Sequence, residues 1–433
     1  MTDWSKSHIV RVGKDTIYPG NPDNDIEQLR QQIEPWLTAV FQSEHLSLLL
    51  GSGFTASIAH EAGAEAAGMG KAEFGGLPEE EKLNEYAVQR AKEMGRGAAN
   101  IEDQISATQS LIVGLKVSGA DAKKWEDALD KVLTNFHGLI LATEKVLKDK
   151  IEEVLVSGGD DNFRPHQLLT SFLLSFASRA ASRERLHLFT TNYERLIEQG
   201  CDLAGIRLID RFVGYLSPVF RASRIGVDLH YNPPGMRGEP RYLEGVVNFS
   251  KLHGSIDWSY ENRVLRRIPI GFGANPGHVD LPKHPSQSVM IYPNSAKDVE
   301  TAVFPYAELF RDFATALCRP NSAVVLYGYG FGDDHINRVL EDMLTIPSTH
   351  LVIISFDDAS GRVKAFCDRV RREHQISLLI GPHYGSIRNL TDHYLPKPAI
   401  DPITFRMGDL LDRRKKAKTE EAPAPEGVAG VEL

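Results

Sequence analysis

Residues 45–55 read His-Leu-Ser-Leu-Leu-Leu-Gly-Ser-Gly-Phe-Thr, and this stretch decides the fold. Its leucines form a short apolar run that ends at Gly51 and Gly53, and a segment of helical character, residues 56–67, follows. The pattern predicts a strand, a tight glycine turn and a helix. Such a turn brings backbone N–H groups close to a diphosphate, and a helix N-terminus favours negative charge. Because only two glycines of the three-glycine dinucleotide fingerprint are present, a plain turn between strand and helix is the alternative.

Three later apolar runs end in the same way, in polar or glycine clusters. Residues 186–189 lead into Thr-Thr-Asn-Tyr-Glu, and residues 246–252 lead into His-Gly-Ser-Ile-Asp-Trp. Residues 323–327 lead into Gly-Tyr-Gly-Phe-Gly-Asp-Asp-His-Ile-Asn. Because ligands bind outside the carboxyl ends of the strands in an open parallel sheet, we expect the four clusters to converge on one crevice.

The order of the patterns predicts an α/β fold, with a Rossmann-like, mainly parallel sheet and an inserted helical domain. Strands alternate with helices or loops between residues 186 and 385, whereas residues 68–159 show helical periodicity alone. The apolar stripes of this insertion predict an internal core; a lid over the crevice or a docking surface is the alternative. The predicted domains are an N-terminal arm and helix (1–44), the Rossmann domain (45–67 plus 160–395), the helical insertion (68–159) and a C-terminal tail with a disordered end (396–433).

Composition argues against several classes of protein. The 433 residues are 42% hydrophobic and 25% charged, as in an ordinary globular protein, and no apolar run approaches the roughly 20 residues of a membrane span. The net charge of −9 argues against direct nucleic-acid binding, which usually needs a basic face. Cys201, Cys318 and Cys367 are too far apart for a Cys-x-x-Cys metal site, and the N-terminus shows no secretory signal. We therefore predict a cytoplasmic protein without a membrane or cysteine-metal site.

The four clusters, in this order, resemble the sirtuin family, and most closely the sirtuin-like domains of bacterial antiviral systems. The resemblance covers residues 45–67 and 160–385, and its most specific part is the ten-residue cluster from Gly328 to Asn337. It implies NAD as a substrate. Deacylating sirtuins carry a four-cysteine zinc module that this chain cannot build, so no zinc is expected.

The resemblance also implies roles for named residues. Asn192 would hold a ribose hydroxyl or a water, and His253 would act as general base; the alternatives are a helix cap and a structural histidine. His335 would be structural or would frame the substrate. The remaining predicted contacts to the dinucleotide are Gly51, Ser52, Gly53, Thr55, Thr191, Gly328, Gly330, Phe331, Ser355 and Asp357.

The function that the resemblance implies is a sirtuin-like NAD+ hydrolase, which would deplete NAD+ in antiphage defence. The partners it implies are further copies of the chain, in a homo-oligomer, and a HerA-type ATPase. Two alternatives stay open: an NAD-dependent protein deacylase or ADP-ribosyltransferase, and a non-enzymatic subunit that senses NAD or ADP-ribose. The segment that grips nicotinamide in deacylating sirtuins does not follow Thr55, and Glu194 replaces the usual aspartate. Both departures argue against an acetyl-lysine peptide as the second substrate.

Overall fold

The apolar run before the glycine turn is the middle one of the seven parallel strands in a nine-stranded sheet. The computed structural model describes residues 4, 7–13, 15–66, 68, 70–93, 98–157, 165–180, 182–223, 230–231, 241–281 and 304–396. The strands in chain order are β1 (Ile9–Val12), β2 (Asp15–Ile17), β3 (His45–Leu50), β4 (His187–Thr190), β5 (Arg207–Ile209), β6 (Phe212–Val213), β7 (Val219–Phe220), β8 (His230–Tyr231), β9 (Arg241–Tyr242), β10 (Val246–Lys251), β11 (Trp258–Glu261), β12 (Val264–Arg267), β13 (Ser322–Tyr327), β14 (His350–Ser355) and β15 (Ile376–Ile380).

The strand order confirms the predicted Rossmann-like architecture. The order across the large sheet is β2-β1-β15-β14-β13-β3-β4-β10-β5, and every pair from β15 to β5 is parallel. After β3 the chain first builds one side of it, with β4, β5 and β10, and then crosses to the other side to form β13. This reversal is a topological switch point, the place where open α/β sheets bind ligands.

The helices cover the sheet and carry the insertion. Leu29, Ile33 and Leu37 recur at helical spacing on α1 and are buried against the sheet, as their periodicity predicts. The helices are α1 (Ile26–Phe41), α2 (Ser52–Glu61), α3 (Glu80–Glu93), α4 (Ile101–Val117), α5 (Lys123–Ser157), α6 (Pro165–Ala177), α7 (Leu196–Ala204), α8 (Tyr306–Leu317), α9 (Asp334–Leu344), α10 (Arg362–Val370), α11 (Pro382–Gly385) and α12 (Ile387–Asn389). No helix in the described part of the chain combines the length and the apolarity that crossing a bilayer requires.

Part of the predicted N-terminal arm is strand. β1 pairs antiparallel with β15, placing Ile9 opposite Ile380, and β2 extends the same edge. Ile9 and Val10 are both buried. These residues therefore complete the sheet of their own chain rather than extending away from it.

The helical insertion packs directly on the carboxyl ends of the strands. Its core of Leu133, Phe136 and other apolar side chains is continuous with Tyr193 and Ile256, which follow β4 and β10. Residues Met1–Pro396 accordingly form one compact unit. The predicted tail, apart from Pro396, lies outside the described residues.

Two glycine turns touch where β3 and β13 end. A side chain at Gly53 would place its Cβ 2.6 Å from the Cα of Gly328, and one at Gly51 would place its Cβ 2.4 Å from the Gly328 oxygen. Gly328 itself has a φ of +63°, in the region that favours glycine. The three glycines are thus required by the contact between the two turns.

Substitution of Gly53 by alanine tests this contact. Gly53 lies in the first turn of α2, where helix propensity alone would favour alanine by up to about 1 kcal/mol. We expect Gly53→Ala instead to lower the free energy of unfolding by about 1–3 kcal/mol, because the turns must separate. Gly114→Ala is the matched control, since Gly114 lies in α4 and, apart from its chain neighbours and the backbone of its own helix, no heavy atom lies within 4 Å of its Cβ position. Urea denaturation should show opposite signs for the two variants; a stabilised Gly53→Ala would contradict the contact.

The burial of His137 leads us to predict that the protein loses stability in mild acid. This histidine lies on α5 and is 4% exposed, and burial lowers its pKa to about 4. The unfolded chain then binds a proton that the folded chain does not as pH falls from about 6.5 to 4. This difference removes up to about 3 kcal/mol of stability over that window. His137→Gln should flatten the dependence of the unfolding temperature on pH, whereas His374→Gln, at an exposed position, should leave it unchanged. Equal slopes for His137→Gln and the unmodified protein would refute the assignment.

Candidate functional site

A cavity of about 280 Å³ lies at the switch point, between the strand ends and the helical insertion. Seven of the residues predicted from the sequence line it: Gly51, Ser52, Thr55, Thr191, Asn192, His253 and Gly330. The other lining residues are Ala66, Ala98, Asn100, Glu102, Phe136, Ile140, Thr143, Tyr193, Glu194, Tyr329, Gly332, Asp333 and Arg362. Each of the four clusters therefore contributes residues to one cavity, as the expected convergence requires.

The predicted glycine contacts divide between the cavity and the fold. Gly53 and Gly328 do not line the cavity, and the Gly53 N–H donates to the Gly328 oxygen at 3.0 Å. Gly51 lines the cavity, but its N–H donates to the Tyr327 oxygen at 3.1 Å. Two of the backbone N–H groups that we expected to contact a diphosphate, those of Gly51 and Gly53, thus donate hydrogen bonds within the sheet and its turns.

Three further predicted residues also lie outside the cavity lining. Phe331 is buried, with its ring centroid 4.9 Å from that of Phe366. Ser355 is buried at the end of β14, and the exposed Asp357 accepts a hydrogen bond from the Ala359 N–H at 2.8 Å. Phe331 therefore packs in the core, and Asp357 stabilises a turn.

Asn192 is held by hydrogen bonds that leave one of its atoms for a ligand. It is 6% exposed and lines the cavity. Its Nδ2 donates to the Gly51 oxygen at 3.0 Å and to the Thr55 hydroxyl at 3.2 Å. The Thr55 hydroxyl donates in turn to the Glu194 carboxylate. Both amide hydrogens are therefore committed, and the carbonyl oxygen Oδ1 is the acceptor that Asn192 presents.

His253 follows β10, the neighbour of β4, lines the same cavity as Asn192 and touches a second histidine. It is 3% exposed, and its Nε2 lies 3.2 Å from Nε2 of His335. A hydrogen bond at this distance requires one Nε2 to donate and the other to accept, so the contact couples the protonation of the two rings. The ring of Phe310 packs edge-on against His335 at 4.7 Å and restricts its rotation.

The two histidines and Asp333 could also hold a metal ion. One ligand atom from each of these three residues lies within 4.8 Å of the others. Imidazole nitrogens and a carboxylate are ligands that zinc and other divalent metals accept. The same geometry thus permits either a hydrogen-bonded histidine pair or a three-ligand metal site.

Buried Lys251 sets the spacing between the two strand ends. Its ammonium group donates to the Glu194 carbonyl at 2.6 Å and to the Glu198 carboxylate at 3.1 Å. The Tyr193 carbonyl accepts a further hydrogen bond from the Ile256 N–H at 3.1 Å. These contacts join the loop that carries Asn192 to the loop that carries His253. Burial raises the pKa of Glu198, against the opposing charge of Lys251.

An ion pair fastens the insertion over the site. The guanidinium of Arg195 donates to both carboxylate oxygens of Glu144, at 3.1 and 2.6 Å, and to the Ile270 carbonyl at 2.6 Å. Burial alone would lower the pKa of Arg195, but hydrogen bonds and charge from Glu144 raise it. Because Arg195 directly follows Glu194, this pair fixes α5 to the loop that carries Asn192.

Sequence reasoning missed Glu102 and Arg362, which come from outside the four clusters. Glu102 lies in the first turn of α4, and Arg362 begins α10 and donates to the Gly330 carbonyl at 2.6 Å. The pair Asn100 and Asp103 predicts a helix start around Glu102, but the pattern does not show that the Glu102 side chain lines a cavity. No sequence signal pointed to Arg362. Among the described lining residues, Arg362 is the one Lys or Arg side chain.

Comparison with known protein families agrees with this architecture. Residues 186–379 match the family model of the SIR2-like domain, which covers somewhat less than half of the chain. The match takes in Asn192, His253 and the last glycine cluster, whereas β3, its glycine turn and the insertion precede it. No curated protein matches the chain significantly. The SIR2-like domain supports the resemblance to sirtuins and a function that uses NAD.

Proposed function

We propose that the protein is an NAD+ hydrolase that cleaves NAD+ to ADP-ribose and nicotinamide. The observation that supports this proposal best is the placement of Asn192 and His253 in the lining of one partly enclosed cavity at the switch point of the sheet. The two residues are a hydrogen-bond acceptor and a proton acceptor, which are the groups that water attack on a ribose carbon requires.

The reaction follows from the bond that breaks. The bond between the ribose C1′ and the nicotinamide nitrogen gives its electron pair to the ring, which leaves as a neutral molecule. The ribose carbon passes through an oxocarbenium-like state, as in other glycosyl transfers. A water then forms the new C1′–O bond, and His253 accepts the proton that this water loses. Asn192 Oδ1 accepts a hydrogen bond from this water or from a ribose hydroxyl.

The helical insertion favours water over a protein acceptor. Phe136, Ile140 and Thr143 of α5 line the same cavity as Asn192 and His253. A peptide side chain would need to pass these residues to reach the ribose carbon, whereas water needs little space. This position of α5 supports hydrolysis rather than deacylation or ADP-ribosyl transfer to a protein.

The cellular role belongs to the same proposal and is supported by the resemblance of the motifs. The chain would deplete NAD+ during antiphage defence, as a homo-oligomer that acts with a HerA-type ATPase. Control by assembly would keep such an activity silent in an uninfected cell.

Substitution of the two central residues tests the chemistry. Asn192→Ala and His253→Ala should each lower NAD+ consumption by about 10²–10⁴-fold, because each removes a group that acts on the water or the ribose. Chromatography of the products should show ADP-ribose and nicotinamide from the unmodified chain. His374→Ala, outside the cavity, is the matched control and should retain activity. If NAD+ stays intact with the unmodified chain, both alone and with the ATPase, the hydrolase proposal fails.

Removal of metal separates the two interpretations of the histidine pair. The mechanism above uses no metal, so we expect NAD+ consumption to be unchanged after dialysis against excess EDTA. Inductively coupled plasma mass spectrometry should then find no stoichiometric divalent metal bound to the active protein. Loss of activity with EDTA, restored by Zn²⁺ or Mn²⁺, would instead make His253, Asp333 and His335 a metal site.

A further inference from the structure

The start of helix α4 brings an asparagine side chain to the cavity. Asn100 directly precedes α4, is partly buried and lines the cavity. Its side-chain oxygen accepts hydrogen bonds from the backbone N–H groups of Glu102 and Asp103, at 2.9 and 3.2 Å. A half-turn of the amide would set its own N–H groups against these donors, so the helix start fixes which end of the amide is oxygen.

The helix cap uses only one half of this amide. Within the described part of the chain, Nδ2 of Asn100 donates to no group, although an amide nitrogen carries two N–H donors. Asn192 shows the opposite arrangement, because its Nδ2 is bonded within the protein and its oxygen is the acceptor. The insertion thus supplies a hydrogen-bond donor to a cavity in which the strand ends supply an acceptor.

Asn100 lies at the end of the cavity where the reacting residues are. Glu102, two residues further on, has its carboxylate oxygen Oε1 3.5 Å from the Tyr193 hydroxyl. The ring centroid of Tyr193 lies 6.5 Å from that of His253, and Tyr193 directly follows Asn192. In the proposed reaction the ribose C1′ lies beside Asn192 and His253, so the nicotinamide bonded to it lies at this same end.

The surroundings of Asn100 suit a flat, polar ring better than a phosphate. Phe136 and Tyr193 line the cavity and pack edge to face, with centroids 5.9 Å apart. Such aromatic side chains pack well against a planar ligand. The first turn of α4 also carries two acids, Glu102 and Asp103, and carboxylates repel a diphosphate. Nicotinamide is planar, and the carbonyl oxygen of its carboxamide is an acceptor for an amide N–H.

We propose that Asn100 is a substrate-specificity residue, which donates a hydrogen bond from Nδ2 to the carboxamide oxygen of nicotinamide. The insertion then recognises the leaving group, whereas the strand ends act on the ribose and the water. This inference rests on the proposed function and adds to it the residue that selects the ring to be released.

Analogues of NAD+ with altered pyridine rings test this hydrogen bond. NAD+ and its acetylpyridine analogue carry the carbonyl oxygen, whereas the aminopyridine analogue and ADP-ribose lack it. Calorimetry measures the binding of all four to full-length protein in the His253→Ala background, where turnover is low. Asn100→Ser keeps an oxygen that caps the helix but removes the amide, so it should weaken binding of the two carbonyl ligands about 3–10-fold. Binding of the other two ligands should not change.

Two further variants separate this role from helix capping. Asn100→Ala removes the cap as well as the amide, so it should lower the unfolding temperature, which Asn100→Ser should preserve. Both variants should nevertheless show the same pattern of affinities across the four ligands. Asn135→Ser is the matched control, because Asn135 is exposed on α5 of the same insertion, and it should change no affinity.

Each result decides the inference. Equal loss of binding for all four ligands in Asn100→Ser would show a structural role and overturn it, as would unchanged binding of NAD+. If none of the four ligands binds the unmodified protein, the proposed function fails and this inference fails with it. That result is distinct from binding that does not distinguish the ligands with the carbonyl from those without it.

Discussion

The contact between two glycine turns is the constraint on which the site depends. Gly51 and Gly53 after β3 meet Gly328 after β13 so closely that none of the three positions has room for a Cβ atom. The Gly53 N–H bonds to the Gly328 oxygen across the contact. Because β3 and β13 are neighbours at the point where the chain order reverses, this contact fixes the edge of the crevice. The Gly51 carbonyl also accepts a hydrogen bond from Nδ2 of Asn192, which ties this contact to the end of β4.

The opposite wall depends on the Glu144–Arg195 ion pair. Arg195 is buried, and removal of either partner would leave an uncompensated charge beneath the helices. The pair also links the insertion to the loop of Asn192, because Arg195 lies three residues after Asn192 and Glu144 lies on the long helix α5. A displacement of α5 therefore acts on the loop of Asn192 through a short, buried path.

Much of the fold could be predicted because its signals are local. Each apolar run that ends in glycine or polar residues became a parallel strand, and the periodic segment from residue 123 onward became a single helix, α5. The contacts of the insertion could not be predicted, because helical periodicity shows which face of α5 is buried but not that Glu144 would meet Arg195. Strand β1 was missed for a similar reason: its pairing with β15 joins residues more than 360 positions apart.

The candidate site was predicted only in part, since motif glycines have two possible uses. Gly53 and Gly328 matched a pattern for close approach to a phosphate, yet the close approach that the structure shows is between the two turns themselves. Asp357 matched the position of a ribose-binding acid at a strand end, but it is bonded to the turn that follows. Thr191 and His253, within two residues of the ends of β4 and β10, lie in the cavity as expected, because the sheet alone sets where these strand ends lie.

The orientation of Asn192 follows from a neighbouring charge. A carboxylate only accepts hydrogen bonds, so Glu194 forces the Thr55 hydroxyl to donate toward it. Thr55 then has only its lone pairs to offer, and these take a hydrogen of the Asn192 amide. The Gly51 carbonyl takes the other hydrogen, so Asn192 turns its carbonyl oxygen to the cavity. An oxygen in this position can accept from water or a ribose hydroxyl, but it would repel a phosphate or a carboxylate. The Glu194 carboxylate thus sets the orientation of the Asn192 amide through the Thr55 hydroxyl, and this orientation decides which substrate groups Asn192 can bind.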